Sequence, residues 1–126
     1  MQTTSVKNID NKHGEWANSL GFYKDELKIF TERLREVAAK NTALGTMQLV
    51  EHFQNQFLIQ SENIDILQHD IHQHVSILAI EVLQHAALID RHELASHLLL
   101  KERVEKEADI FKNLKAAFMG FLSRVM

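Results

Sequence analysis

The sequence predicts an all-α fold: an antiparallel three-helix up-down bundle with a long hairpin of the second and third helices. Three observations predict it. Proline is absent, no glycine lies between Gly45 and Gly120, and apolar residues recur at steps of three and four. Strand-rich folds need turn residues at short intervals, so so long a stretch without either breaker argues for helices. The 126 residues suffice for one domain with its own core.

The first 14 residues are polar and aperiodic and are expected to form a flexible tail ahead of a single helical domain over 15–126. Trp16, Leu20, Tyr23, Leu27, Phe30, Leu34 and Val37 then define one apolar seam, predicting a helix over about 15–40. Extended forward, that seam meets Asn41, Gln48 and Glu51 and fails, while a new one opens at Val50, Phe53 and Phe57. Val50 lies roughly 220° around the helix from Val37, so one straight helix cannot serve both seams. Asn41 is the expected left-handed terminator, Thr42 the N-cap of the next helix, and Gly45 part of the turn. The second helix is expected over 43–89. The third is expected over 91–124, with Asp90 capping it and Glu93 three residues on. A break near Gln73–Ser76 would give a four-helix up-down bundle instead.

A mirror pattern favours three helices. Phe57, Gln60, Ile64, Ile71, Leu78, Val82 and His85 match Val125, Leu122, Phe118, Phe111, Val104, Leu100 and His97, each pair of numbers summing to 182. A tight turn at Arg91 would bring these seams face to face. It would also place Gln60 against Leu122 and Leu67 against Lys115 as mixed layers. The terminal segment FKNLKAAFMGFLSRVM is basic and amphipathic, and Phe118 and Leu122 assign it to the core.

Helix 2 would be about 70 Å long and helix 1 about 38 Å, so helix 1 would cover helix 2 only to about residue 68. The distal hairpin would then expose an apolar face of Ile77, Ile80, Leu88, Leu94, Leu98 and Leu99. Such a face points to a homodimer through the distal hairpin, or to another protein partner. An oligomeric binding or scaffolding module is therefore the first expectation for function.

Composition bounds the alternatives. Hydrophobic residues make up 45% and charged residues 25%, ordinary for a globular chain. A net charge of −3 with no basic stretch argues against nucleic acid. The absence of cysteine removes disulfides, thiolate zinc sites and cysteine nucleophiles, and fits a reducing compartment. The N-terminal segment lacks the apolar core of a signal peptide, and no apolar run is long enough to span a bilayer. A cytoplasmic protein without membrane contact is expected.

Eight histidines stand out, six of them between 69 and 97. His85 and His97 are mirror partners, and Glu81 and Glu93 precede them by four residues, so two hairpins could supply a carboxylate–histidine set for iron, zinc or manganese. The same residues could equally form a polar layer that fixes register, or destabilise the seam when the histidines charge below about pH 6.5. A second candidate metal set is Asp65, His69 and His72, which share one helix face; its alternative is a solvated surface. The E-x-x-H spacing of di-iron carboxylate bundles is absent, as are the H-x-x-x-E and H-x-x-x-H elements of hemerythrin. No serine sits in a nucleophile elbow and no glycine-rich phosphate loop occurs, so no catalytic residue is assigned and a metal-free enzyme is not expected.

Overall fold

The computed structural model describes the backbone over 6–41, 43–85 and 91–126, and the side chains over 11–41, 43–78 and 94–126. Three helices fill it: α1 (Val6–Lys40), α2 (Leu44–His85) and α3 (Arg91–Val125). No strand occurs among the described residues. α2 is continuous through residues 73–76, so the four-helix division is not needed.

Each helix carries one buried stripe at alternating steps of three and four. On α1 it runs His13, Trp16, Leu20, then Leu27, Phe30, Leu34 and Val37, with half-buried Tyr23 filling the step between Leu20 and Leu27. On α2 it runs Val50, Phe53, Phe57, Gln60, Ile64, Leu67, Ile71, His74 and Leu78. On α3 it runs His97, Leu100, Val104, Glu107 and Phe111, resuming at Phe118 and Phe121. This is the repeat of helices packed side by side with a shallow crossing. Ring pairs give the directions. Phe30 meets Phe57 and His13 meets His74, so α1 and α2 are antiparallel; Tyr23 meets Phe111 and Phe30 meets Phe118, so α1 and α3 are parallel.

Three ion pairs pin the same registers, one for each pair of helices. Lys24 pairs with Asp65, Arg103 with Asp70 at 2.8 Å, and Lys115 with Glu26 at 3.0 Å. Partly exposed pairs of this kind contribute little stability but disfavour slipped alignments.

α1 ends beside Asn41, whose backbone N–H and side-chain Nδ2 both donate to the Val37 carbonyl, at 3.0 and 3.2 Å. The expected caps at Thr42 and Asp90–Glu93 lie outside the described residues.

Two expectations are corrected. Helix 1 starts at Val6 rather than near residue 15, so the segment expected to be a tail is largely helical. Its 35 residues span about 52 Å and reach past His74, so the hairpin does not stand alone beyond residue 68. The mirror register is also wrong. His97 lies level with His74 instead of residue 85, and Gln60 meets Glu107 instead of Leu122. Lys115 likewise pairs with Glu26 of α1 rather than layering with Leu67. Residues 74 and 85 are eleven apart, about three helical turns, so either register puts the same stripe at the seam.

Candidate metal centre

Where the three stripes meet near the start of α1, each helix contributes one histidine. His13, His74 and His97 are 4%, 4% and 7% exposed, among the few polar side chains inside the bundle. Their rings are 5.0 Å apart for His13–His74, 5.3 Å for His13–His97 and 6.2 Å for His74–His97. One ligand atom from each lies within 4.8 Å of the others, and this is the one such metal-ligand group among the described residues.

The closest contact is between His97 Nδ1 and His13 Nε2, at 3.3 Å. Two nitrogens bound to one tetrahedral zinc at about 2.05 Å would be roughly 3.4 Å apart. One pair therefore already has ligand spacing, and the third histidine offers a ligand atom within 4.8 Å of both. Trp16 holds the site from one side, stacked on His97 at 4.8 Å and 23° and tilted against His13 at 5.2 Å. A stacked indole restricts the imidazole to its plane and keeps water from it.

The site also leaves one buried polar atom of His13 unsatisfied. When His13 Nε2 is engaged with His97, His13 Nδ1 is left buried with no hydrogen-bond partner. This holds for either tautomer, because an imidazole has only two nitrogens. A buried unsatisfied polar atom costs about 1–3 kcal/mol. Burial pulls the His13 pKa from 6.5 down to about 4, with the nearby His74 and His97 adding to the effect. The His97 pKa is lowered too, first by burial and then by His74 and Lys101. Both imidazoles are thus held neutral at pH 7, the form that binds metal.

Access exists on the α1/α2 side. An open cleft of about 400 Å3 is bounded by His13, Gly14 and Ala17 from α1 and by Ile71, His72 and Val75 from α2. On the other side, His74 borders a cleft of about 280 Å3 between α2 and α3 that also holds Asp70, Leu99 and Arg103.

A second polar layer lies further along the bundle. Glu107 is buried, and burial raises its pKa from 4.5 to about 7. With the Gln60 amide nitrogen facing it, that nitrogen donates to the two carboxylate oxygens at 2.8 and 3.1 Å. Those bonds favour the ionised carboxylate and work against burial.

No family model matches the chain, and no curated protein or solved structure matches it significantly either.

Of the histidines and carboxylates singled out in the sequence, only His97 joins the triad. The side chains of Glu81, His85 and Glu93 lie outside the described residues. Asp65 pairs with Lys24, His69 and His72 are exposed, and the three do not gather into a ligand set among the described residues. Within the expected apolar face Ile77, Leu98 and Leu99 are exposed and Leu94 is half-buried; the side chains of Ile80 and Leu88 lie outside the described residues. Reading along the sequence missed His13 and His74. Both were one step from visibility: His13 lies three residues before Trp16 on the α1 seam, and His74 three after Ile71 on that of α2.

Among the described residues, no helix is long and apolar enough to cross a membrane.

Proposed function

We propose that this protein is a metal-binding three-helix bundle that holds one divalent transition ion through His13, His74 and His97. The observation that carries the reading is the convergence of one buried histidine from each helix with ligand atoms within 4.8 Å. Three imidazoles without thiolate or carboxylate suit zinc, copper, nickel or iron rather than magnesium or calcium. Because the ligands come from all three helices, metal binding is coupled to their assembly, and the ion stabilises the folded form.

Native mass spectrometry and calorimetric titration with Zn2+ test this. One zinc per chain, removable by chelator, is expected. Replacing His13, His74 or His97 by alanine should weaken binding by more than about 100-fold, beyond the loss typical of an outer-shell partner. His52→Ala, at an exposed histidine, should bind normally. Wild-type protein that takes up no zinc, or a triad variant that binds as tightly, overturns the reading.

An oligomeric binding module is the second reading, favoured by the exposure of Ile77, Leu98 and Leu99 at 46%, 50% and 62% near one end of the α2/α3 hairpin. In it, two chains meet through that face. Light scattering should then give twice the 14.6 kDa chain mass, reverting to monomer with Leu98→Lys and Leu99→Lys. A wild-type monomer at tens of micromolar removes this reading.

A further inference from the structure

We infer that the histidine triad binds copper in both oxidation states and holds the monovalent ion the more tightly, which makes it a copper site of raised reduction potential. This rests on the metal reading above and adds a monovalent ion to it.

The donor set and its burial give the first argument. Imidazole binds a metal as a neutral ligand, so three histidines leave the charge of the ion uncompensated by their own. His13, His74 and His97 are at most 7% exposed, and the cost of moving an ion out of water rises with the square of its charge. Burial therefore opposes Cu2+ far more than Cu+. The neighbouring side chains act in the same direction. Trp16 is stacked on His97 at 4.8 Å. The buried Ile71 and Leu78 lie about one turn to either side of His74 on α2, and the buried Leu100 follows His97 on α3. An apolar shell of this kind limits solvent access and lowers the local dielectric, and both set the potential of a bound metal.

Spacing gives the second argument. Cu2+ favours a tetragonal set of donors, in which neighbouring nitrogens about 2.0 Å from the ion stand at right angles, about 2.8 Å apart. Three nitrogens at the same bond length around a trigonal ion stand about 3.5 Å apart. The 3.3 Å between His97 Nδ1 and His13 Nε2 is nearer the second value. Cu+ shares the filled d shell of Zn2+, which imposes no geometry of its own, and it accepts three donors. One ligand atom from each helix is what the triad offers.

The affinities of the full-length protein for the two ions, measured separately, test this. Cu+ is supplied without oxygen as its bicinchoninate complex, whose colour fades as the protein takes the ion. Cu2+ is supplied from nitrilotriacetate and followed by quenching of Trp16, the only tryptophan in the chain. Cu+ should bind at least about 100-fold more tightly, which raises the potential above that of aqueous copper by about 118 mV, at 59 mV per tenfold. Ascorbate should then reduce the Cu2+ form by one electron per copper, with the three nitrogens still bound, and the electron spin resonance of Cu2+ should vanish. The double variant His13→Ala, His97→Ala keeps one ligand and should lose both ions; tight Cu+ binding that survives in it lies elsewhere on the chain and overturns the inference. Wild-type protein that holds Cu2+ as tightly as Cu+ also overturns it, while zinc uptake by the same protein leaves the metal site standing. Failure to bind zinc and both copper ions overturns the site and the inference together.

Discussion

Phe118→Ala is expected to destabilise the bundle by about 3–5 kcal/mol, lowering the melting temperature by roughly 15 °C for a domain of this size. Phe118 has no exposed surface, and its ring meets Phe30 of α1 at 5.2 Å, Phe53 and Phe57 of α2 at 5.4 and 4.9 Å, and Phe121 at 6.3 Å. The Phe57 contact is edge-on at 89°, the arrangement the ring quadrupoles favour. Because all three helices converge on this ring, the cavity left by truncation has no single wall free to collapse, and the cost stays near the top of the usual range. The adjacent Met119 is 41% exposed, and Met119→Ala should stay within about 0.5 kcal/mol. Urea unfolding followed by helical circular dichroism measures both. If the two variants unfold at the same urea concentration, the aromatic cluster is not where the helices are held together.

The fold class was legible because the seams of Leu, Val, Phe and Trp residues carry the helical period, and nothing interrupts them. The register was not. A seam with a three–four repeat matches itself after seven residues and again after eleven, each time within about 20°. The numerical mirror selected one member of that set; the ion pairs Arg103–Asp70 and Lys115–Glu26 and the Phe57–Phe118 contact select another. Charged partners on different helices leave no periodic trace, so this choice was out of reach. The site was half legible for a related reason. His97 was found as a polar member of a seam. His74 was passed over because the step from Ile71 to Leu78 already kept the heptad. His13 was lost with the supposed tail, since a helix start crowded with Asn, Asp and Lys has the composition of a loop. Helices of this kind draw their stability from packing more than from propensity, and the packing at that end includes a histidine.

In metal-free protein, two buried titrations are expected to oppose one another and hide each other. His13 has a folded-state pKa of about 4 against 6.5 in the unfolded chain. Below pH 6.5 the unfolded chain takes up the proton first. Stability from this group is therefore complete above 6.5 and falls as the pH drops toward 4, by about 3 kcal/mol in all. His97 adds a loss of the same sign. Glu107 behaves in reverse: the unfolded chain releases its proton near 4.5, while the folded chain keeps it until about 7. Its contribution is complete below 4.5 and falls as the pH rises to 7, again by about 3 kcal/mol, less whatever the Gln60 hydrogen bonds return to the ionised form. Between about pH 5 and 6.5 the Glu107 slope offsets part of the histidine slopes, so wild-type stability should fall less steeply on acidification there than the histidines alone would make it. Single substitutions should unmask each slope. Glu107→Gln, which keeps an amide partner for Gln60, should be more stable than wild type at pH 8 and lose stability steeply on acidification. His13→Phe should lose less stability than wild type on acidification and weaken toward pH 8. Urea midpoints from pH 4 to 8 in the presence of chelator measure all three profiles. Parallel profiles for wild type and both variants would mean that neither group is held in the buried layers described above. Crossed profiles would show that the histidine layer and the Glu107 layer place the bundle's most stable range between their two titrations.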